Sequence, residues 1–377
     1  MAFKFNFSND DLDLDDVDQN STEQIDSSLG DLSLEESATQ KVPCSEYDIK
    51  ACVLPTLLQA DILDIPKVDT PLYKRTLADV KFQMAEQDTL LNGDADNEDG
   101  KVVEMLNLNS NSDLVRGVYE GGFKTWECSL DLVEYLSQLP KDQITGKRVL
   151  ELGCGSALPS LLLLAKDPSN HVDVQDYNDQ VIRYITIPNI LLNTVLTVQE
   201  SAAPAEDVES SDENEEEEEE SASSDDDEEE EGEDGLKDQI IGENVTCDAE
   251  AELPADKVPD MLQRITERTR AFVGDWSGLP SLVQDTKYDM IVTSETIYSE
   301  EALPALVEAV QKTLKKPDGV CYVAAKTIYF GVGGGILPFC DLLDKSKDAD
   351  GDKFKVDKVF ESESTVKREI LRLKWDL

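Results

Sequence analysis

Apolar positions fall into two patterns along this chain. From residue 126 onward, short apolar runs alternate with stripes at helical spacing. Residues 126–139 place Trp126, Leu130, Val133 and Leu136 on one helical face. Residues 148–152 read as a first strand, 158–164 as a helix and 171–175 as a second strand. A helix over 180–192 follows, which Pro188 would kink or shorten. The pattern then predicts a helix over 258–268, a third strand at 271–273 and a fourth at 288–293. A helix over 302–314, a fifth strand at 320–325 and a helix over 336–344 come next. Two alternating strands, 355–361 and 366–374, close the chain. Strand–helix repetition ending in a hairpin implies an α/β fold: a Rossmann-like sheet of seven strands, mostly parallel, with an antiparallel C-terminal hairpin.

Upstream the pattern is mixed. "TPLYKRTLADVKFQMAEQ" reads as a helix with Thr70 as N-cap, Pro71 at the first position, and Leu72, Leu77, Val80 and Met84 along one side. "NGDADNEDG" ends it. Near the start, "FKFNFS" alternates Phe3, Phe5 and Phe7, a strand period that could add to a sheet edge.

Charge changes this picture in two places. The chain of 377 residues carries a formal charge of −48, and residues 200–234 hold 21 acids without one base. Residues 1–36 hold 11 acids and one lysine. Such runs repel themselves and have little apolar surface to bury, so both are expected to be disordered. The expected division is a disordered acidic tail (1–45), a partly helical extension (46–115), and the α/β domain in two parts (116–199 and 237–377) around a disordered acidic insertion (200–236). The insertion reads as a solvated linker or as an electrostatic lure for a basic partner.

Composition also removes function classes. There is no basic stripe to displace counterions, so direct nucleic-acid binding is not expected. With one histidine, His171, a His-ligated metal cluster is excluded and no metal is expected. No apolar run is long enough to cross a bilayer, and the first residues do not read as a signal peptide. Seven cysteines without C-x-x-C spacing read as reduced thiols in a cytoplasmic or nuclear protein.

Ligands of such sheets bind at the carboxyl ends of the strands. After strand one come Glu151, Gly153 and Gly155, glycines that let a ligand approach the backbone. "QDYN" follows strand two, "GDWS" strand three and "SETIYS" strand four. An acid after strand two suits a ribose with a free 2′-hydroxyl, as in NAD or S-adenosylmethionine. NAD needs a third glycine, where this chain has Ala157. The E-x-G-x-G form suits a cationic ligand, which Glu151 and Glu127 would complement, so S-adenosylmethionine is the expected cofactor.

With "VYEGGFKTWECSLDLVEYL" (118–136), "VLELGCGSALP", "VQDYN", "GDWS", "YDMIVTSETIYS" and "AAKTIYFGVGGG" (324–335), the chain resembles the seven-strand S-adenosylmethionine-dependent methyltransferases. More narrowly, it resembles the protein-histidine methyltransferases that modify a large-subunit ribosomal protein. The first and last of these motifs are specific to that family, and "MAFKFNFS" resembles its N-terminus. The resemblance implies a cofactor shell of Thr125, Trp126, Glu127, Cys128 and Ser129 as one wall, with Gly153 in the turn. Gln175, Asp176 and Tyr177 would hold the ribose and adenine end. Gly274, Asp275 and Trp276 would flank the adenine, and Ser294 would lie near the methionyl side. Ser156-Ala157 stands where some relatives keep a further glycine.

A histidine nucleophile needs its second ring nitrogen fixed by an acceptor. Glu295, Tyr298 and Tyr329 are the candidates for that work, and Gly331, Gly333, Gly334 and Gly335 would let a substrate strand come close. The expected partner is a basic large-subunit ribosomal protein, met by a monomeric enzyme. Glu295-Thr-Ile-Tyr298 also resembles a protein-lysine methyltransferase signature, so lysine methylation is the alternative. A non-enzymatic chaperone of a ribosomal protein is the rival outside catalysis.

Overall fold

A computed structural model describes residues 41–90, 121–200 and 247–377. Residues 1–40 of the acidic tail, with Phe3, Phe5 and Phe7, the run "NGDADNEDG", and all of the acidic insertion beyond Glu200 lie outside the described residues. Residues 41–45, expected to be disordered with that tail, are instead ordered by backbone bonds to the ends of the strands His171–Asp176 and Ala271–Val273.

The chain enters through β1 (Ser45–Tyr47), β2 (Leu57–Leu63), β3 (Leu72–Arg75) and α1 (Leu77–Leu90). After the gap come α2 (Glu127–Ser137), β4 (Arg148–Leu152), α3 (Leu158–Lys166), β5 (His171–Asp176) and α4 (Ile187–Thr194). β6 (Gln199–Glu200) and β7 (Ala249–Glu252) flank the insertion. Then follow α5 (Val258–Thr266), β8 (Ala271–Val273), β9 (Met290–Ser294), α6 (Leu303–Thr313), β10 (Val320–Lys326) and α7 (Ile336–Lys345). β11 (Lys353–Glu361) and β12 (Arg368–Asp376) form the terminal hairpin.

The main sheet has the order β1-β8-β5-β4-β9-β10-β12-β11. Its five central strands run parallel; β1 pairs antiparallel with β8, β12 with β10, and β11 with β12. This is the Rossmann-like sheet that the pattern predicts, with β1 as an eighth strand beside β8. The central strands read as apolar runs because both faces are covered. Val149, Val172 and Val174 bury into one core, while Leu150, Leu152, Phe272 and Ile291 bury into the other.

A second, antiparallel sheet has the order β3-β2-β7-β6. Its strands come from both sides of the sequence division placed at residue 115, so the N-terminal extension and the flanks of the insertion share one sheet. The base of the insertion is closed by Gln199 opposite Glu250 and Glu200 opposite Ala249.

Two elements differ from the pattern. The helix expected from Pro71 begins at Leu77, because residues 72–75 are β3, with Leu72 opposite Leu63 and Arg75 opposite Ala60. The Thr76 hydroxyl accepts the Asp79 N–H at 3.2 Å and serves the start of α1 in place of Thr70. The irregularity expected from Pro188 is present but lies upstream of it, with Pro188 in the first turn of α4. A wide turn over Ile182–Thr186 precedes it, and the Ile187 N–H reaches five residues back to the Ile182 carbonyl. That wide turn accommodates the amide proton that proline lacks.

Arg75 joins β3 to the catalytic part. Its guanidinium is fully buried, donating to Asp79 Oδ2 at 2.7 Å, Gln83 Oε1 at 2.8 Å and the Tyr184 carbonyl at 2.8 Å. Removing one partner of a buried ion pair strands the other, at about 3–5 kcal/mol. Arg75→Ala should therefore lower unfolding free energy by about that amount, measured by urea denaturation against the full wild-type chain.

Candidate functional site

The ends of β8, β5, β4, β9 and β10 lie side by side, and the candidate residues stand at or just after one of them, except Thr125 to Ser129, which open α2. The turn after β4 needs its glycines. Gly153 has φ +60°, and a Cβ there would meet Thr296 Cγ2 at 2.5 Å; Gly155 has φ +50° and abuts the Gly122 carbonyl. Ala157 takes φ 60° as the residue before α3. The Gly155 carbonyl accepts the Thr186 hydroxyl at 2.7 Å, and the Ser156 carbonyl accepts the Asn189 amide at 3.0 Å.

Asp176 closes the turn from β5. Its Oδ2 accepts the Gly155 N–H at 2.9 Å and its Oδ1 the Asn178 N–H at 3.2 Å. These bonds orient the Asp176 carboxylate toward the turn after β4. Gln175 is different. Its amide oxygen accepts the Gly153 N–H at 3.2 Å and the Trp276 indole N–H at 2.6 Å, while its NH2 donates to the Gly274 carbonyl at 2.7 Å. It is buried and joins three strand ends rather than presenting a polar edge outward. Tyr177, Asp275 and Trp276 are partly exposed around this junction.

Glu151 is buried. Its Oε2 accepts the Ser160 N–H at 2.9 Å and the Ser160 hydroxyl, but Oε1 has no partner. Burial pushes its carboxyl up to about 8 against the opposing bonds from Ser160. Thr125 Oγ1 is likewise buried without a partner. Trp126 is fixed by its indole N–H on the Gly121 carbonyl at 3.1 Å, and the Lys326 ammonium lies 5.3 Å from its ring centroid. Ser129 donates to the Trp126 carbonyl at 2.7 Å, which steadies the start of α2.

The last group sits over β9 and β10. Glu295 is buried with φ 56°, its N–H bonded to the Ala324 carbonyl at 2.9 Å. Its Oε2 accepts the Tyr329 hydroxyl, while Oε1 makes no hydrogen bond and lies 3.8 Å from Lys326 Nζ. Lys326 also reaches Glu127 Oε2 at 3.3 Å. Burial, then the charge of Glu295, pushes the Tyr329 phenol far up, so it remains a donor. Burial and Glu295 push the neighbouring Cys128 thiol up in the same way, which leaves it a buried neutral group. Tyr298 sets its ring edge-on to Tyr329, centroids 6.4 Å apart, and Ser294 is half-buried at the end of β9.

A family profile described as "Methyltransferase domain" matches residues 127–329. The histidine protein methyltransferase 1 of Schizosaccharomyces pombe is 32% identical over 73% of this chain and 69% of its own. The chain belongs to the histidine protein methyltransferase 1 family. A Dictyostelium discoideum homolog is 32% identical over 62% of this chain and 52% of its own, and a Bos taurus homolog is 34% identical over 64% and 52%. The chain thus spans about half the length of these last two relatives.

Within this histidine protein methyltransferase 1 family member, the glycine loop after β10 does two jobs. A Cβ on Gly334 would lie 2.2 Å from the Ile297 carbonyl, and one on Gly335 2.5 Å from the Thr327 carbonyl. Those two glycines are required by the chain's own packing, which corrects the reading of all four as room for a substrate. Gly331 and Gly333 alone are open. Gly274 is likewise set by packing, since a Cβ there would lie 2.5 Å from the Pro43 carbonyl oxygen. Sequence reasoning missed Lys326, although it stands at the end of strand five, where the same strand-end rule would have found it.

Glu151 carries a pH signature. Its folded pKa is raised from 4.5 to about 8, so its favourable contribution is complete below about pH 4.5 and is lost as pH rises through about 8. Glu151→Gln should therefore gain stability relative to the wild type between pH 5 and pH 8. Urea melts of both proteins across that range would show this; parallel pH dependences would contradict it.

Proposed function

We propose that this chain methylates a ring nitrogen of a protein histidine, with S-adenosylmethionine as donor and a basic large-subunit ribosomal protein as substrate. Its working place would be the cytoplasm or nucleus, as a monomer. The site fits a cationic cofactor: Glu151 Oε1 and Thr125 Oγ1 are buried without partners. When bound, the donor supplies an electrophilic methyl group on a sulfonium.

The chain contributes alignment, which is worth about 7–11 kcal/mol in reactions of this type. Thr125, Trp126 and the Gly153 turn would hold the donor, Asp176 its ribose, and Tyr177 and Trp276 its adenine. Glu295 is the observation that carries the reading. Tyr329 occupies one oxygen of this buried carboxylate and leaves the other as an acceptor. That oxygen can take the N–H of an imidazole, which turns the lone pair of the opposite nitrogen toward the methyl group. As an N–CH3 bond formed and the S–CH3 bond broke, leaving a neutral thioether, the imidazole would become cationic; Glu295 would stabilise that charge and receive the N–H proton. Phe330, Ile328 and Leu337, exposed beside Tyr329, suit the approach of a polypeptide.

Glu295→Gln should keep cofactor affinity within about threefold and lower turnover by about 10²–10⁴. Isothermal calorimetry and single-turnover assays on ribosomal proteins separate the two. A collapse of cofactor affinity with normal turnover at saturation would place Glu295 on the wrong side of the site. Amino-acid analysis of the product decides between methylhistidine, methyllysine and no transfer.

The acidic insertion yields a second test. If it steers a basic substrate, its effect lies in the association rate and fades with salt, the Debye length being about 10 Å at 0.1 M. Replacing residues 202–245 by a short loop should slow methylation of the full-length substrate at low salt and not that of a short neutral peptide. The rates should converge at high salt. Equal rates at every salt concentration would make the insertion a linker only.

A further inference from the structure

Residues 41–44 run up to β1 and cross the ends of β5 and β8 on the side where Tyr177 and Asp275 stand. The contacts are specific and mostly made by backbone. The Val42 N–H donates to the Tyr177 hydroxyl at 3.2 Å, and the Val42 carbonyl accepts the Asp275 N–H at 2.9 Å. Lys41 Nζ lies 3.1 Å from Asp275 Oδ2. Two glycines admit this strap. A Cβ on Gly274, already at φ +103°, would lie 2.5 Å from the Pro43 oxygen, and one on Gly278 would lie 2.7 Å from Cys44 Cβ. β1 then locks the strap by pairing Ser45 with Val273 and Tyr47 with Ala271.

We infer that residues 41–44 are a positioning element of the cofactor site, holding the Tyr177 ring and the loop after β8 in the form that receives the adenine end. The inference rests on the cofactor reading above. Tyr177 follows β5 and is partly exposed. A tyrosine ring fixed only at Cα must lose side-chain freedom when a base stacks on it. With its hydroxyl held by Val42, that freedom is already lost before binding, so more of the stacking energy appears as affinity. The exposed Lys41–Asp275 pair adds little by itself. The Val42 bonds are the ones that reach across to both loops.

The test uses the full chain with S-adenosylmethionine and S-adenosylhomocysteine as probes. Val42→Pro removes the N–H and keeps the carbonyl; Tyr177→Phe keeps the ring and removes the hydroxyl. Each should weaken binding about three- to tenfold, the worth of one neutral hydrogen bond. The double variant should be no weaker than either single variant, because both remove the same bond. Val42→Pro should raise KM for S-adenosylmethionine by the same factor and leave kcat as in the wild type. Binding unchanged in folded Val42→Pro, or effects that multiply, would overturn the strap's role. Hydrogen exchange of the unmutated chain gives an independent reading: S-adenosylhomocysteine should slow exchange in the peptide covering residues 41–47, and no slowing would also overturn it. If the wild-type chain binds neither probe, the cofactor reading fails, and the strap's role falls with it.

Discussion

The side chain of Gln175 is the constraint on which the site depends. One buried amide ties the turn after β4 to the loop after β8 by way of the end of β5. The Cys154 N–H adds a backbone bond to the Gln175 carbonyl at 2.9 Å. Gly153 and Gly155 both sit at positive φ and would be the softest part of the sheet's edge. Bonded to Gln175 and Asp176, their N–H groups are held in place without any ligand. A glycine turn that is ordered in advance does not need to be ordered by binding, and that saving appears as affinity.

The same bonds explain which features can be read from sequence. The order of strands and helices in the catalytic part is visible because the central strands are buried on both faces and α2, α5, α6 and α7 on one, so the hydrophobic period follows the element, while α3 and α4 are buried all round and read as largely apolar runs. The strand-end residues are visible because α/β sheets use one edge for ligands. Gln175 could be placed at that edge but not given its role, since an amide pointing into a loop junction and one pointing at a ligand have the same sequence. Leu72 shows the opposite failure. Its spacing to Leu77, Val80 and Met84 fits a helix, yet its pairing is decided by β2, whose other partner is β7, nearly two hundred residues away. Tertiary pairing of that range leaves no local period. β1 is only three residues long, and the strap before it acts through its peptide groups, which every residue carries.

The two halves of the site differ in how their acids are satisfied. Near the β4 turn, Glu151 keeps an oxygen unpartnered and its proton is held by desolvation. Over β9 and β10, Glu295 has Tyr329 on one oxygen and an ammonium within 4 Å of the other. The first arrangement is costly until a positive group arrives. The second is a standing acceptor, already polarised by a donor that stays protonated. Lys326, reaching both Glu127 and Glu295, lowers the repulsion between those two carboxylates.

Glu295 also holds a backbone conformation that a side chain rarely takes, at φ 56°. Such a residue costs about 1–3 kcal/mol and persists only where its surroundings over-determine it. Here they do. Its N–H is fixed to Ala324 on β10, and two residues later the Ile297 and Tyr298 carbonyls accept the N–H groups of Gly335 and Gly334. The glycines permit that approach, since a Cβ on Gly334 would overlap the Ile297 and Tyr298 carbonyls. The loop carrying Tyr329 is thereby stitched to the loop carrying Glu295, and the hydroxyl–carboxylate contact follows from the stitching. The strain at Glu295 and the glycines after Phe330 are thus one device, which fixes an acid and its donor at the end of β9.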